Sequence, residues 1–365
     1  MSVPGYGRSD EALTTLSAAD RSGETGLSGR PTMRDVASTA GVSLKTVSRV
    51  VNAEPGVARE TAARVTAAIE TLGFTRNELA RSLRHGRAGA LGLVIEDVAN
   101  PFYSQLARTV EELAHAQGHL LLTGSCGEDP AREQELVLRF LRRAVDAVLM
   151  VPAGEDHTYL RGELTQPGHA PIVFLDRPPV GIDVDTVLGD SRGGARTAVE
   201  HLVAHGHRRI AVITDSDRVW TARERVAGAA DALRDAGLDV DPELIVPGAH
   251  AAGDAEAAVR RVLALPAERR PTALFTANNR ITVGAVRALR DLDPDEQPAL
   301  VGFDDFELAD MLATPVSVVR QAPAEMARLA AEAAYARLDG DEQAPRRMVV
   351  PCELVARGSG ERVPR

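Results

Sequence analysis

Two cysteines, one lysine and twelve aromatic rings are all that 365 residues hold of these types. Cys126 and Cys352 lie in strand-like apolar runs without metal-ligand spacing, so they read as small buried hydrophobes rather than a disulfide or a metal pair. No run of eighteen apolar residues occurs, and residues 1–30 have neither the basic start nor the apolar core of a signal peptide. The expected location is the cytoplasm, with no membrane partner. Also missing are a Gly-x-Gly-x-x-Gly after the first strand, a phosphate-binding loop, a nucleophile elbow and a His pair at metal spacing. The acid pairs Asp215/Asp217 and Asp304/Asp305 have no companion base in sequence. Neither catalysis nor a cofactor or metal is expected.

What the chain does hold is a compact helical signal near its start. Thr32-Met-Arg-Asp-Val-Ala-Ser-Thr-Ala-Gly41 places Thr32 and Asp35 at capping-box spacing and Val36 and Ala40 on one apolar face. Gly41 suits the left-handed turn that ends such a helix, and Ser43 can cap the next, whose inward stripe is Val47, Val50 and Val51. Two short helices joined by a tight Gly turn make a helix-turn-helix. The outward face of the second presents Leu44, Lys45, Thr46, Ser48, Arg49 and Asn52. Arg can fork onto guanine, Asn can read adenine, hydroxyls reach phosphate, and Leu44 can touch a thymine methyl. With Thr32 and Ser43 at the helix starts, these are the candidate DNA contacts; the plain alternative is an ordinary solvated helix face.

Met33-Arg-Asp-Val-Ala-x-x-Ala-Gly-Val-Ser-x-x-Thr-Val-Ser-Arg-Val-Val-Asn52 resembles the signature of the LacI (lactose-repressor) family of bacterial transcription regulators. The likeness continues through a third helix, Arg59 to Leu72, then Gly73-Phe-Thr-Arg-Asn77 and Leu79-Ala-Arg-Ser-Leu-Arg84, and covers nearly all the chain after residue 30. It implies that the segment starting at Asn77 is a hinge helix that orders on operator DNA beside its dimer mate, with Leu83 as an apolar wedge in the central minor groove. Packing of Leu79 and Leu83 against a neighbouring helix is the other reading.

Charge divides along the same line. Residues 31–87 carry nine basic and five acidic side chains, a local +4 within a chain of net charge −10, which leaves −14 elsewhere. A basic head on an acidic body attracts phosphate locally and keeps the body from wrapping DNA. The low apolar content of residues 1–30 predicts a disordered extension. The expected organisation is therefore 1–30 extension, 31–76 helix-turn-helix domain, 77–87 hinge helix or linker, and 88–365 a two-lobed domain for effector binding and dimerisation.

From Ala90 onward apolar strands alternate with amphipathic helices, and a 44% hydrophobic composition supplies more than one core. Expected strands are Leu91–Glu96, Leu120–Gly124, Ala147–Val151, Ile172–Asp176, Ile210–Thr214, Leu244–Val246, Ala273–Thr276 and Leu300–Phe303. This is an α/β class with parallel doubly wound sheets, divided between two lobes. In such sheets ligands bind beyond the carboxyl ends of the strands. That selects Asp97 to Tyr103, Asp176-Arg177, Asp215 to Thr221, Asn278-Asn279 and Asp304-Asp305, where Asn, Asp and Arg can bond hydroxyls and Phe102, Tyr103 and Trp220 can stack on a sugar ring or a base.

This half is similar to periplasmic sugar-binding proteins of the ribose type. Asn100-Pro-Phe-Tyr103, Leu175-Asp-Arg177, Ala277-Asn-Asn279, Gly302-Phe-Asp304 and Gln321 match their contact segments. The resemblance implies Asn100, Phe102, Tyr103, Arg177, Asn278, Asp304 and Gln321 as ligand contacts and a monosaccharide over a purine, and the strand-end positions add Trp220 and Asn279. Asn279 stands where the relatives usually have Asp. Asn100 and Asn278 read equally as helix caps. Together these features predict a homodimeric repressor that binds a near-palindromic double-stranded operator under control of a small effector. No heptad pattern for a tetramer follows Arg357. A purine-controlled regulator, a ligand-independent DNA binder and a solute-binding transport component are the alternatives.

Overall fold

The computed structural model describes residues 31–52, 54–74 and 89–364. The expectations for the 1–30 extension and the 77–87 hinge, Asn77 and Leu83 included, lie outside the described residues. The chain divides into two compact units, one within residues 1–77 and one within 78–365.

In the first unit, α1 (Met33–Ala40) starts at Thr32, whose side chain and that of Asp35 form the reciprocal capping box. Gly41 ends the helix in the left-handed region at φ 63°. Ser43 caps α2 (Leu44–Val51) through a hydrogen bond from Thr46 N, and α3 spans Arg59–Leu72. Val36, Ala37, Ala40, Val47, Val65 and Ala68 make a small core, with Val50 and Val51 packed at its edge. Arg64 donates from Nη2 to Ala40 O at 2.7 Å and to Gly41 O at 3.2 Å, so a cation on α3 satisfies carbonyls that α1 leaves open at its end.

The second unit holds two six-stranded sheets. The first lobe begins with β1 (Ala90–Ile95), α4 (Pro101–Ala116), β2 (Leu120–Ser125), α5 (Pro130–Arg142), β3 (Ala147–Met150), α6 (Arg161–Leu164), β4 (Ile172–Leu175) and β5 (Thr186–Gly189). The second contains α7 (Ser191–Ala204), β6 (Ile210–Ile213), α8 (Trp220–Asp235), β7 (Ile245–Val246), α9 (Ala252–Leu263), β8 (Ala273–Thr276), α10 (Asn279–Leu289), β9 (Ala299–Phe303) and β10 (Ser317–Arg320). Then α11 (Pro323–Leu338) and β11 (Arg347–Val350) return to the first lobe, and β12 (Glu353–Val355) joins the second. The orders are β11-β5-β4-β3-β1-β2 and β12-β10-β9-β8-β6-β7, parallel except for the β10–β12 pair.

The eight expected strands form, and β5, β10, β11 and β12 extend the two sheets. Strands such as β1 are buried along their whole length because helices cover both faces. Leu91, Leu93 and Ile95 point to the α4/α11 core, and Val94 to the α5 core. In the second lobe α9 and α10 cover one face and α7 and α8 the other. Close helix contact there needs glycine: a Cβ on Gly228 would lie 2.1 Å from Arg192 O, and one on Gly284 2.3 Å from Ala252 O. The chain crosses between lobes at 189–191, 320–323 and 350–353. Among the described residues no helix is long and apolar enough to cross a membrane.

Candidate functional site

On the head, the polar face of α2 that is the candidate for reading bases is open. Leu44 is 45% exposed, Lys45 and Asn52 are exposed, and Thr46, Ser48 and Arg49 are half-buried. The hydroxyls of Thr32 and Ser43 serve as helix caps, Thr32 donating to Asp35 Oδ2 at 2.7 Å and Ser43 Oγ lying 2.9 Å from Thr46 Oγ1. One neighbour was not marked by the sequence pattern: Glu54 accepts from Asn52 Nδ2 at 3.2 Å and stands 3.9 Å from Arg49 Nε. A single exposed carboxylate thus steadies two of the candidate base readers.

In the body, the carboxyl ends of both sheets face a shared cavity. The first lobe contributes Glu96, Asn100, Phe102, Tyr103, Glu128, Asp176 and Arg177. The second contributes Asp215, Val219, Thr221, Ala222, Arg225, Ala277, Asn278 and Asp304, and Gln321 comes from a crossing segment. Seven of the nine expected ligand contacts are therefore brought together. Trp220 and Asn279 are not among the lining residues. Trp220 is half-buried at the start of α8, while its neighbours Val219, Thr221 and Ala222 face the cavity. Asn279 is buried and spends its Nδ2 on Asn100 Oδ1, at 2.9 Å.

The cap readings hold alongside the cavity placement. Asn100 Oδ1 accepts from Phe102 N at 3.1 Å, and Asn278 Oδ1 from Ile281 N at 2.8 Å. Asp176 and Asp304 occupy equivalent points just past β4 and β9, both with φ 64°. The left-handed region is one that Asp tolerates better than most residues, and strained backbone of this kind gathers at binding sites.

Arg177, 6% exposed, forks onto Glu128 from Nη1 at 2.7 Å and Nη2 at 2.5 Å, and Nη1 also donates to Pro152 O at 3.0 Å. Burial opposes its charge, but Tyr103, Glu128 and Asp176 more than restore it, and the guanidinium stays protonated. Arg225 is the other arginine lining the cavity. It donates to Ala277 O at 2.6 Å, lies 3.5 Å from Asp304 and stacks with its guanidinium carbon 3.8 Å from the Phe303 ring centroid. Burial pushes the carboxyls of Glu96, Asp176 and Asp304 above the usual range, against the pull of nearby arginines. Sequence reasoning missed Arg225 and Glu128 because neither ends a strand: Arg225 lies one turn inside α8, and Glu128 sits in the β2–α5 connection with φ 58°.

The cavity encloses only about 40 Å3, against roughly 300–1,000 Å3 for typical ligand pockets. Polar bonds between the lobes account for the tight fit. Besides Asn279–Asn100, Arg280 of the second lobe bonds Glu96 at 3.3 Å and also Asp97, and Arg223 reaches Glu155 at 2.8 Å. His250 bridges Asp215 at 3.1 Å and Glu96 at 3.9 Å.

A helix-turn-helix with an open polar face, carried on a chain with a two-lobed α/β body around a polar cleft, defines the class of ligand-responsive DNA-binding regulators. Residues 32–77 match the model for bacterial regulatory proteins of the lacI family, and residues 199–360 that for a periplasmic binding protein-like domain. The chain belongs to the LacI family. It is similar to the ribose operon repressor of Escherichia coli (strain K12), 32% identical over 330 residues, covering 90% of this chain and 99% of the relative. It is also similar to the PurR transcriptional repressor of Aliivibrio fischeri (strain ATCC 700601 / ES114), 30% identical over 330 residues, covering 90% and 98%. Among solved structures, the lac repressor dimer bound to operator and the anti-inducer ONPF superposes with a TM-score of 0.78 at 25% identity, covering 91% of this chain and 99% of that one.

Proposed function

We propose that this family member acts in the cytoplasm as a homodimeric repressor whose operator affinity is set by a monosaccharide bound between the lobes. In this reading Leu44, Lys45, Thr46, Ser48, Arg49 and Asn52 contact a near-palindromic operator, and Asn100, Phe102, Tyr103, Arg177, Asn278, Asp304 and Gln321 contact the sugar. The observation that carries it is the convergence of these strand-end residues on one polar cavity. The similarity to a ribose operon repressor supports a sugar, and Phe102 and Tyr103 line the cavity where they can stack on its ring. Bonds between the lobes give a ligand something to trade against: parting or reseating the lobes biases the DNA-bound form, with coupling typically about 1–3 kcal/mol.

The test is an operator selected from random DNA, labelled, and titrated with the full chain in the presence of pentoses, hexoses and purines. A monosaccharide that shifts operator affinity about five- to a hundredfold is the expected result. A purine that does so would keep the regulator and replace the sugar. Operator affinity indifferent to the whole panel would leave a ligand-independent DNA binder.

A further inference from the structure

We infer that the effector carries no negative charge: the cavity takes a donor-rich polyol, neutral or bearing an amine, and rejects phosphorylated sugars and sugar acids. This deepens the effector reading above and rests on it. The first ground is charge. Glu96, Glu128, Asp176, Asp215 and Asp304 line the cavity against Arg177 and Arg225, and even with Arg280 on Glu96 and His250 on Asp215 the basic groups do not outnumber the carboxylates.

Both guanidinia are already engaged. The Arg177 fork is held by both Glu128 oxygens, and Arg225 bonds Ala277 O and Ser191 Oγ while stacking on Phe303. A phosphate seeking a bidentate arginine would have to displace Glu128 and leave that carboxylate unpaired near the buried Asp176. Helix N-termini are the other usual anion seats. The starts of α4 and α10 are closed by Asn100 and Asn278. The start of α8 has no side-chain cap, but Asp215 shares the cavity with it.

The second ground is the hydrogen-bond inventory, which is independent of charge. Asp176 Oδ1 and Gln321 Oε1 are buried acceptors with no partner, on residues 3% and 5% exposed. Among the wholly enclosed lining atoms, the donor without a hydrogen bond is Arg177 Nε, which lies 3.8 Å from Asp176 Oδ2. Gln321 Oε1 packs on Gly189, so the acceptor left for a ligand is Asp176 Oδ1, and a ligand that settles here brings a hydroxyl or ammonium hydrogen to it. A phosphate dianion or a carboxylate brings further acceptors.

Calorimetry on the full chain with matched sets tests this: ribose with ribose 5-phosphate, and glucose with glucosamine, glucose 6-phosphate and glucuronate, alongside galactose and its counterparts. In the set that binds, the anionic derivative is expected to be weaker than its neutral or aminated parent by about 100-fold or more. The neutral and amine arms separate the two permitted sources. The Glu128→Gln variant frees the Arg177 fork and removes one carboxylate, and it is expected to narrow that gap about tenfold. An anionic derivative that equals its parent, a gap unmoved in Glu128→Gln, or silence from every neutral and aminated sugar overturns the inference. Operator titration of the same samples keeps the two readings apart. A neutral sugar that binds without changing operator affinity removes the regulatory role and upholds the charge rule, and an anionic effector that releases the operator does the opposite.

Discussion

Asn279 Nδ2 donates to Asn100 Oδ1 at 2.9 Å, and the two side chains belong to different lobes. The same Asn100 oxygen caps α4 by accepting from Phe102 N. Its role as acceptor is therefore locked by the helix start, and only a donor at position 279 can meet it. The ribose-type proteins usually have Asp at this position, which has no such hydrogen when ionised.

Asn279→Asp should accordingly place two acceptors face to face and weaken the join between the lobes. The expected loss is about 1–3 kcal/mol of body stability, read from urea unfolding at neutral pH. A midpoint equal to that of the parent protein would show that the contact contributes nothing in solution.

His250 links closure to pH. Burial works against its charge, but the hydrogen bond to Asp215 and the Asp215, Glu96 and Glu128 carboxylates outweigh this and raise its pKa above 6.5. A group raised on folding stabilises the folded state below its unfolded value, and that contribution fades as pH climbs through the folded value. The parent should thus exceed His250→Gln in stability at about pH 5.5, and the gap should shrink as pH rises above 6.5. A gap that widens toward pH 8 would reverse the sign and discard the bridge.

Thr32→Ala removes the hydroxyl half of the capping box on α1. Loss of such a cap costs about 0.5–2 kcal/mol. Amides of α1 should exchange with solvent faster in the variant, roughly two- to thirtyfold, by native-state hydrogen exchange. Protection restricted to its parental level would mean that Asp35 and the core alone hold the helix.

For Arg49→Ala the expected cost is about 1–3 kcal/mol of operator affinity, with relaxed preference at one base position. Binding measured across single-base operator variants decides: an equal loss on every sequence would make Arg49 a phosphate contact. Glu54→Gln should move the other way, raising affinity on all sequences by removing a negative charge beside Arg49 and Asn52.

Much of this was legible in the chain because local chemistry and tertiary demand agree. Thr32, Gly41 and Ser43 fix the head by caps that need no distant partner. Strands β1 to β4, β6, β8 and β9 announce themselves as apolar runs. The four strands not foreseen are three or four residues long and include Thr186, Arg320, Arg347 and Glu353, so pairing across the sheet, more than side-chain pattern, makes them strands. Helix α11 is alanine-rich, which blurs the contrast between its buried and open faces. In the cavity the strand-end rule found Asp176, Arg177 and Asp304. It could not find Arg225, whose reach from inside α8 depends on how helix and sheet pack.

The three crossings between lobes also order the protein's birth. Head helices are contiguous and finished at Leu72, so they can fold soon after they leave the ribosome. Neither body sheet is whole until Arg347–Val350 and Glu353–Val355 have been made, because β11 and β12 supply their last strands. At about 5–20 residues per second of synthesis, a DNA-reading head would precede its own sensor by roughly 15–55 seconds. During that interval α4 and β1 wait for the face of α11 that covers them. Nascent chains of this protein are thus the stage at which chaperones have most apolar surface to shield.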